Sequence, residues 1–283
     1  MSLVWIDGSV VPAADAERKA TVPVDDMALL RGIGVFETFK VVAGVPFALR
    51  RHLIRLRDSA RIAGIKLRWT DDQLVAACAE LLAAIPSADS SRPLLRLRIT
   101  VTGGSASAAD GPREPSLLLT AEHGANWPVT AAVVTDEHPI NERSPLAGAK
   151  VTSYLEQVVV LERARRRGAD EAVRANTVGA LCEGTGSNVF LVVDGDLCTP
   201  ALTTGCLPGV TRALVCELVP VTERDDLTFD HLRRAPEAFL TSSTRDVHPI
   251  GSVDGVALHP TPGPLTAAAA AAFEELVATD LDP

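Results

Sequence analysis

The chain has no long apolar run. Its hydrophobic stretches are short and interrupted, so no membrane-spanning helix is expected. Positive charge is scarce: 27 lysines and arginines stand against 36 aspartates and glutamates, a formal net charge of −9. That balance argues against a nucleic-acid backbone or an anionic membrane surface as partner. The opening residues, Met1-Ser-Leu-Val-Trp-Ile-Asp-Gly8, lack a basic stretch followed by an apolar core, so no signal peptide is expected. The five cysteines (Cys78, Cys182, Cys198, Cys206, Cys216) are odd in number and show neither a CxxC pair nor zinc spacing. They read as reduced thiols of a cytoplasmic protein. The six histidines (His52, His123, His138, His231, His248, His259) have no ligand spacing, so no metal site is expected. No HExxH, Walker loop, GxGxxG or ordered Ser-His-Asp set stands in a suitable context, and no internal repeat is found.

What is present is ordinary for a globular protein. Hydrophobic residues make up 47% and charged residues 22% of 283, enough for two modest domains or one large one. Residues 3–12 predict a hairpin with Asp7-Gly8 as its turn, and 34–49 a second, Val35 to Val42 and Val45 to Leu49 about Ala43-Gly44. Alternation puts Phe36, Thr38 and Lys40 on one face of that strand and Val35, Glu37, Phe39 and Val41 on the other. Arg50 to Ala63 is a basic helix with Leu53, Leu56, Ala60 and Ala63 inward. Thr70 and Gln73 form a capping box for a helix reaching Ile85. Leu94 to Thr102 is a strand with Arg96 and Arg98 on one face, and Ser116 to Ala121 another. The domains are set at 1–121 and 129–283, with the turn-rich stretch 122–128 as linker. Beyond it come strands at 129–135, 170–175, 181–182, 188–193, 196–199 and 239–241, with a hairpin turn at Asp194-Gly195. A helix runs from Leu207-Pro-Gly-Val-Thr-Arg212 to near Val219, and another holds Ala267 to Ala272. The fold class is α+β, a mixed α/β chain.

Four places could carry chemistry. Ala147-Gly-Ala-Lys150-Val-Thr-Ser-Tyr154 sets a lysine ahead of a helix start, with Ser153 and Glu156 at capping-box spacing. Leu155, Val158, Val159 and Ala164 form that helix's apolar stripe, and Gly168 ends it. Lys150 is either a solvated lysine at a loop end or an amine held from water and able to act as a nucleophile. Gly209, Val210 and Thr211 open a helix, where free N–H groups and the helix dipole suit an anion. Ser242-Ser-Thr244 is a hydroxyl-rich turn after a strand, a phosphate cradle or merely a turn. Glu183, within Leu181-Cys-Glu-Gly-Thr-Gly-Ser-Asn188, is a candidate acceptor for a protonated ring nitrogen or a plain loop carboxylate. With Arg55 on the basic helix, the set supplies what pyridoxal 5′-phosphate requires: an amine, an anion cradle and a carboxylate.

In that order, from Phe36-Glu-Thr and His52-Leu-Ile-Arg-Leu56 to Leu240-Thr-Ser-Ser-Thr-Arg245, the motifs resemble those of the class IV aminotransferases. These are the fold-type IV pyridoxal-phosphate enzymes, which include branched-chain and D-amino acid aminotransferases and aminodeoxychorismate lyase. The resemblance implies a small N-terminal α/β domain beside a larger barrel-like C-terminal domain, with the cofactor between them, in a homodimer. It implies that Lys150 forms the Schiff base and shuttles the substrate's α-proton, while Glu183 pairs with the pyridine nitrogen. It gives the phosphate to Arg55, the N–H groups of Val210 and Thr211, and the Ser243 hydroxyl. Leu207 would pack on the ring and Tyr154 approach its phenolic oxygen.

The substrate face implied by relatives comprises Phe36, Thr38 and Lys40, with Thr244 from the hydroxyl turn. Arg31 replaces the tyrosine of branched-chain enzymes, and residues near it reach the neighbouring subunit's site in the family. The Thr-Arg-Gly stretch of D-amino acid enzymes is Thr102-Gly103-Gly104 here, so Arg31 with Arg96 or Arg98 would grip the carboxylate. The expected reaction is transamination between a small amino acid, of D-configuration, and a 2-oxo acid. Pro145 to Lys150 and Leu155-Glu-Gln157 are similar to aminodeoxychorismate lyase, the first alternative; a branched-chain L-amino acid enzyme is the second.

Overall fold

The computed structural model describes residues 3–11, 20–85, 94–105, 114–124 and 126–283. The backbone divides into two compact units. Met1–Asn126, Ala149–Tyr154 and Leu281–Pro283 form the first; Trp127–Gly148 and Leu155–Asp280 form the second.

In the first unit, β1 (Leu3–Ile6) and β2 (Ser9–Val11) make the expected hairpin. Its turn residues Asp7 and Gly8 have φ of 42° and 98°, the left-handed pair that a two-residue turn needs. Pro12, expected at its end, lies outside the described residues. Next come α1 (Met27–Arg31), capped by Asp26, then β3 (Gly34–Val42) and β4 (Val45–Pro46). The strand expected to reach Leu49 stops at Pro46, because Ala48 turns left-handed (φ 55°) and α2 (Leu49–Ile62) begins. The capping box of Thr70 and Gln73 starts α3 (Asp71–Ala83), which ends two residues short of Ile85. Then follow β5 (Leu95–Thr102) and β6 (Leu117–His123). β6 takes Glu122 and His123 out of the stretch expected as linker, and Ala125 of that stretch is outside the described residues.

The six strands lie in the order β2-β1-β6-β5-β3-β4, all antiparallel. One face packs on the two long helices around Phe39, Leu53, Leu56, Leu74, Leu81, Leu97, Ile99 and Leu119, all at most 2% exposed.

In the second unit, β7 (Ala131–Ile140) is longer than expected and precedes α4 (Leu155–Arg166). The helix begins at Leu155, so Tyr154 stands before its first turn, and the Glu156 carboxylate pairs with buried Arg174. Of the stripe expected to point inward, Ala164 does, together with Val160 four residues before it, which was not expected; Leu155, Val158 and Val159 are 76%, 50% and 49% exposed. Gly168 (φ 77°) stops the helix as expected. β8 (Glu171–Asn176), β9 (Leu181–Gly184), β10 (Asn188–Val193) and β11 (Asp196–Pro200) follow, then a 3-10 turn at Leu202–Thr204 and α5 (Val210–Leu218). β12 (Thr222–Arg224), α6 (Phe229–Arg234), β13 (Ala238–Ser242), β14 (Asp246–Val253), β15 (Val256–Ala257) and α7 (Pro264–Thr279) complete it. The sheet order is β12-β11-β10-β13-β14-β7-β8-β9, with β15 on β14; β11 with β12, and β7 with β14 and β8, run parallel. No helix among the described residues is long and apolar enough to cross a membrane.

Candidate active site

Within the first unit, residues 149–154 lie against the start of β3. The Lys150 carbonyl accepts the Phe36 N–H at 3.1 Å, and the Thr152 N–H donates to the Gly34 carbonyl at 2.8 Å. Val151 bridges Val35, and the Thr152 hydroxyl donates to the Gly32 carbonyl. Gly34 allows this approach, since a Cβ there would stand 2.8 Å from the Thr152 hydroxyl. The Lys150 N–H donates to Ser59 Oγ, on α2, at 3.0 Å. Lys150 is half-buried, and its Nζ lies 4.5 Å from the centre of the Phe36 ring and 5.5 Å from that of Tyr154. Those two rings meet edge to face at 5.4 Å.

Arg98 completes this group, its guanidinium carbon 3.6 Å from the centre of the Phe36 ring. Alternation along β3 and β5 explains the assembly: Phe36 opposes Thr100, Thr38 opposes Arg98 and Lys40 opposes Arg96. Arg98 Nε donates to Thr100 Oγ1, and burial draws the guanidinium below its ordinary pKa. Arg96 shares the face but is held by Glu122 at 2.9 Å. Of the two expected arginines, Arg98 is therefore the one brought to the lysine. Lys40 is buried, with Nζ 4.9 Å from the Phe47 ring centre, and Thr38 is half-buried. Arg31 is exposed at the end of α1.

Arg55 is buried on α2, and its guanidinium is engaged from the sheet side. Nε and Nη2 donate to the two oxygens of Glu37 at 2.8 and 2.7 Å. His52 Nδ1 lies 2.7 Å from the same carboxylate. Burial pushes the Glu37 pKa up, but the charge and hydrogen bond of Arg55, helped by His52, outweigh it and hold the carboxyl at about 2. Burial also keeps His52 below its ordinary value, against the pull of Glu37. Glu37 and His52, which the sequence placed in motifs without a role, and Ser59, which it did not single out, also build this group. His52, Arg55 and Ser59 sit at helical spacing on one face, a polar stripe inside the expected apolar pattern.

Within the second unit, Glu183 lies on β9 opposite Arg174, half-buried, and its Oε2 accepts the Leu207 N–H at 2.8 Å. The Asn188 side-chain amide donates to the Leu207 carbonyl at 2.9 Å. The acid is thus tied to the loop that opens α5. The N-cap of α5 is Gly209, and no side chain caps it; a Cβ there would fall 2.0 Å from Asn188 Oδ1. Val210 and Thr211 are buried in the first turn. Ser243 and Thr244, half-buried, form the turn between β13 and β14, fixed by the Arg245 N–H donating to the Ser242 carbonyl. The small residues after Glu183 have their own cause: Gly184 to Ser187 wrap the buried Glu171 carboxylate, which accepts from the Thr185 N–H and hydroxyl and the Ser187 hydroxyl. Asn188 was not singled out by the sequence, although it closes the quoted motif.

Arranged in this way, the chain carries a clamped lysine beside aromatic rings, a guanidinium near it, a carboxylate on a strand and an uncapped helix start. The family pattern described as Amino-transferase class IV matches residues 34–253. The chain belongs to the class IV aminotransferases. Among individual proteins, it is similar to the branched-chain-amino-acid aminotransferase of Salmonella typhimurium, 29% identical over 89% of this chain and 85% of that protein. It is 30% identical to the D-alanine aminotransferase of Bacillus licheniformis, over 88% and 89% of the two chains. The crystal structure of a branched-chain aminotransferase from Thermoproteus uzoniensis with norvaline superposes with a TM-score of 0.86 at 29% identity, covering 97% of this chain and 94% of that one.

The family cofactor is pyridoxal 5′-phosphate. The residue types present fit it: a lysine amine, a carboxylate, and at Gly209 a helix start that no side chain caps.

Proposed function

We propose that this aminotransferase moves an amino group between a small aliphatic amino acid and a 2-oxo acid, with Lys150 as the catalytic residue. The carrying observation is the placement of Lys150 Nζ and the Arg98 guanidinium on the same Phe36 ring, at 4.5 and 3.6 Å. Bound cofactor supplies an electron sink for the electron pair left at the substrate's α-carbon. Lys150 Nζ would attach it and carry the α-proton, with the Phe36 and Tyr154 rings beside that amine. Glu183 would accept the pyridine N–H. Arg55, the N–H groups of Val210 and Thr211, and the Ser243 hydroxyl would hold the phosphate, with Leu207 against the ring and Tyr154 towards its phenolic oxygen. Arg98 grips the substrate carboxylate in a two-pronged hold, with Thr38, Lys40 and Thr244 around it.

A D-configured substrate draws support from the Bacillus licheniformis relative, named a D-alanine aminotransferase. The second reading, a branched-chain L-amino acid, draws it from the Salmonella typhimurium and Thermoproteus uzoniensis proteins. The lyase reading rests on motif likeness. A homodimer, with Arg31 of one copy serving the other, belongs to the same proposal and is supported by the exposed leucine and valines of α4. Five free cysteines fit a cytoplasmic setting.

The test mixes holoenzyme with D-alanine, L-leucine and aminodeoxychorismate in parallel, following the cofactor absorbance and 4-aminobenzoate release. Amino transfer from one of the two amino acids, abolished in Lys150→Ala, is the expected result. An active alanine variant removes the proposal, and 4-aminobenzoate release without transfer replaces it with the lyase.

A further inference from the structure

We propose that Ser59 is a positioning residue for Lys150, and that α2 sets the spacing between the amine and the phosphate grip. The inference rests on the reading that Lys150 attaches the cofactor and Arg55 helps hold its phosphate.

Residues 149–154 form no strand of the main sheet, yet the peptide groups on both sides of Lys150 are pinned. The Lys150 carbonyl and the Thr152 N–H are tied to the β3 backbone. Those ties are main-chain, so no side chain controls them. The Lys150 N–H is different, because it donates to a side chain, Ser59 Oγ, at 3.0 Å. Ser59 is 1% exposed, so no bulk water stands ready to replace that acceptor.

Ser59 lies four residues after Arg55 on α2, one turn along the same face. A single rigid element therefore carries the guanidinium that meets one end of the cofactor and the hydroxyl that fixes the lysine meeting the other. Pyridoxal phosphate is a stiff ring with its aldehyde and phosphate arm at fixed positions, so the protein must hold the two grips at a matching distance. A helix turn does this better than a loop, because its rise per residue is fixed by backbone hydrogen bonds. Glu37 reinforces the arrangement by accepting from Arg55 Nε and Nη2 at 2.8 and 2.7 Å.

Substituting Ser59 leaves the amine and the phosphate ligands intact but frees the Lys150 backbone to shift. Displacements below an ångström already slow reactions that depend on alignment. The step affected is capture of the cofactor aldehyde by Nζ, a condensation that forms the C–N bond and releases water.

The experiment uses full-length apo-protein mixed with pyridoxal 5′-phosphate and cyanoborohydride, with the mass gained at Lys150 followed in time. Inorganic phosphate affinity is measured on the same samples by calorimetry. Ser59→Ala is expected to slow capture about tenfold with phosphate affinity unchanged, and Ser59→Thr, which restores the hydroxyl, to recover most of the rate. Capture by Ser59→Ala at the wild-type rate overturns the proposal. So does slowing matched by an equal loss of phosphate affinity without rescue by threonine, which marks general loosening. If the alanine variant does not fold, Ser59→Cys, close in size but a poor acceptor, gives the same reading. An equal total mass gain by Lys150→Ala, necessarily at another residue, would instead sink the underlying assignment of Lys150 and leave Ser59 without a role.

Discussion

Glu37 is a carboxylate with no exposed surface, set between a histidine and an arginine. Its pKa falls from an ordinary 4.5 to about 2, a shift equivalent to roughly 3 kcal/mol of stability. The sign follows from proton uptake. Above pH 4.5 both folded and unfolded chains hold Glu37 ionised and the contribution is complete; between 4.5 and 2 only the unfolded chain takes the proton, so stability drains away. His52, held below its ordinary 6.5 by burial, acts in the same direction at higher pH, because the unfolded chain protonates there first. Glu37→Gln leaves Arg55 buried without its counter-charge, which should cost about 3–5 kcal/mol at pH 7. Thermal unfolding from pH 8 to 3 is the measurement: the gap between variant and wild type should narrow as pH falls below 4.5. A gap independent of pH would show that the carboxylate charge is not what matters. Alternation along β3 correctly placed Glu37 on the face away from Phe36. It could not name its partners, because His52 and Arg55 lie 15 and 18 residues away, a tertiary pairing with no local signal.

Elements whose signals are local were legible: the hairpin turns, the Thr70 capping box and the start of α5. Leu207-Pro-Gly-Val-Thr-Arg212 marked a helix entry, and the structure adds why position 209 is glycine. A Cβ there would collide with Asn188 Oδ1 at 2.0 Å, on the side chain that anchors Leu207. Gly209→Ala should therefore displace either the loop or Asn188. The expected outcome is about tenfold weaker binding of pyridoxal 5′-phosphate, with a smaller loss for pyridoxal, which lacks the phosphate. Equal losses for the two, measured by equilibrium titration, would detach α5 from the phosphate. The helix α4 was the misread element. It has apolar residues on two faces, and periodicity alone does not say which face meets the core. Val160 and Ala164 do, while the leucine and two valines expected there face outward.

At the scale of the whole molecule, chain order and spatial grouping differ. A linear division at a linker omits that 149–154 and 281–283 belong with the first unit, and no composition change marks either return. The outward face of α4 gives this scale its prediction. Leu155, Val158 and Val159 are each about half exposed or more on one helix, and covering an aliphatic side chain is worth about 1.5–3 kcal/mol. A second copy of this chain is the partner proposed to cover them. Each copy carries a net charge of −9, so two copies repel at long range, and salt should strengthen rather than weaken their association. Light scattering on the purified protein should give twice the chain mass, more completely at about 0.5 M than at about 0.02 M sodium chloride. Val158→Glu with Val159→Glu adds charge to the proposed contact and should yield single chains. If wild type scatters as a single chain at both salt concentrations, the α4 face is not a contact between copies. The position of Arg31 would then have to be explained within one chain.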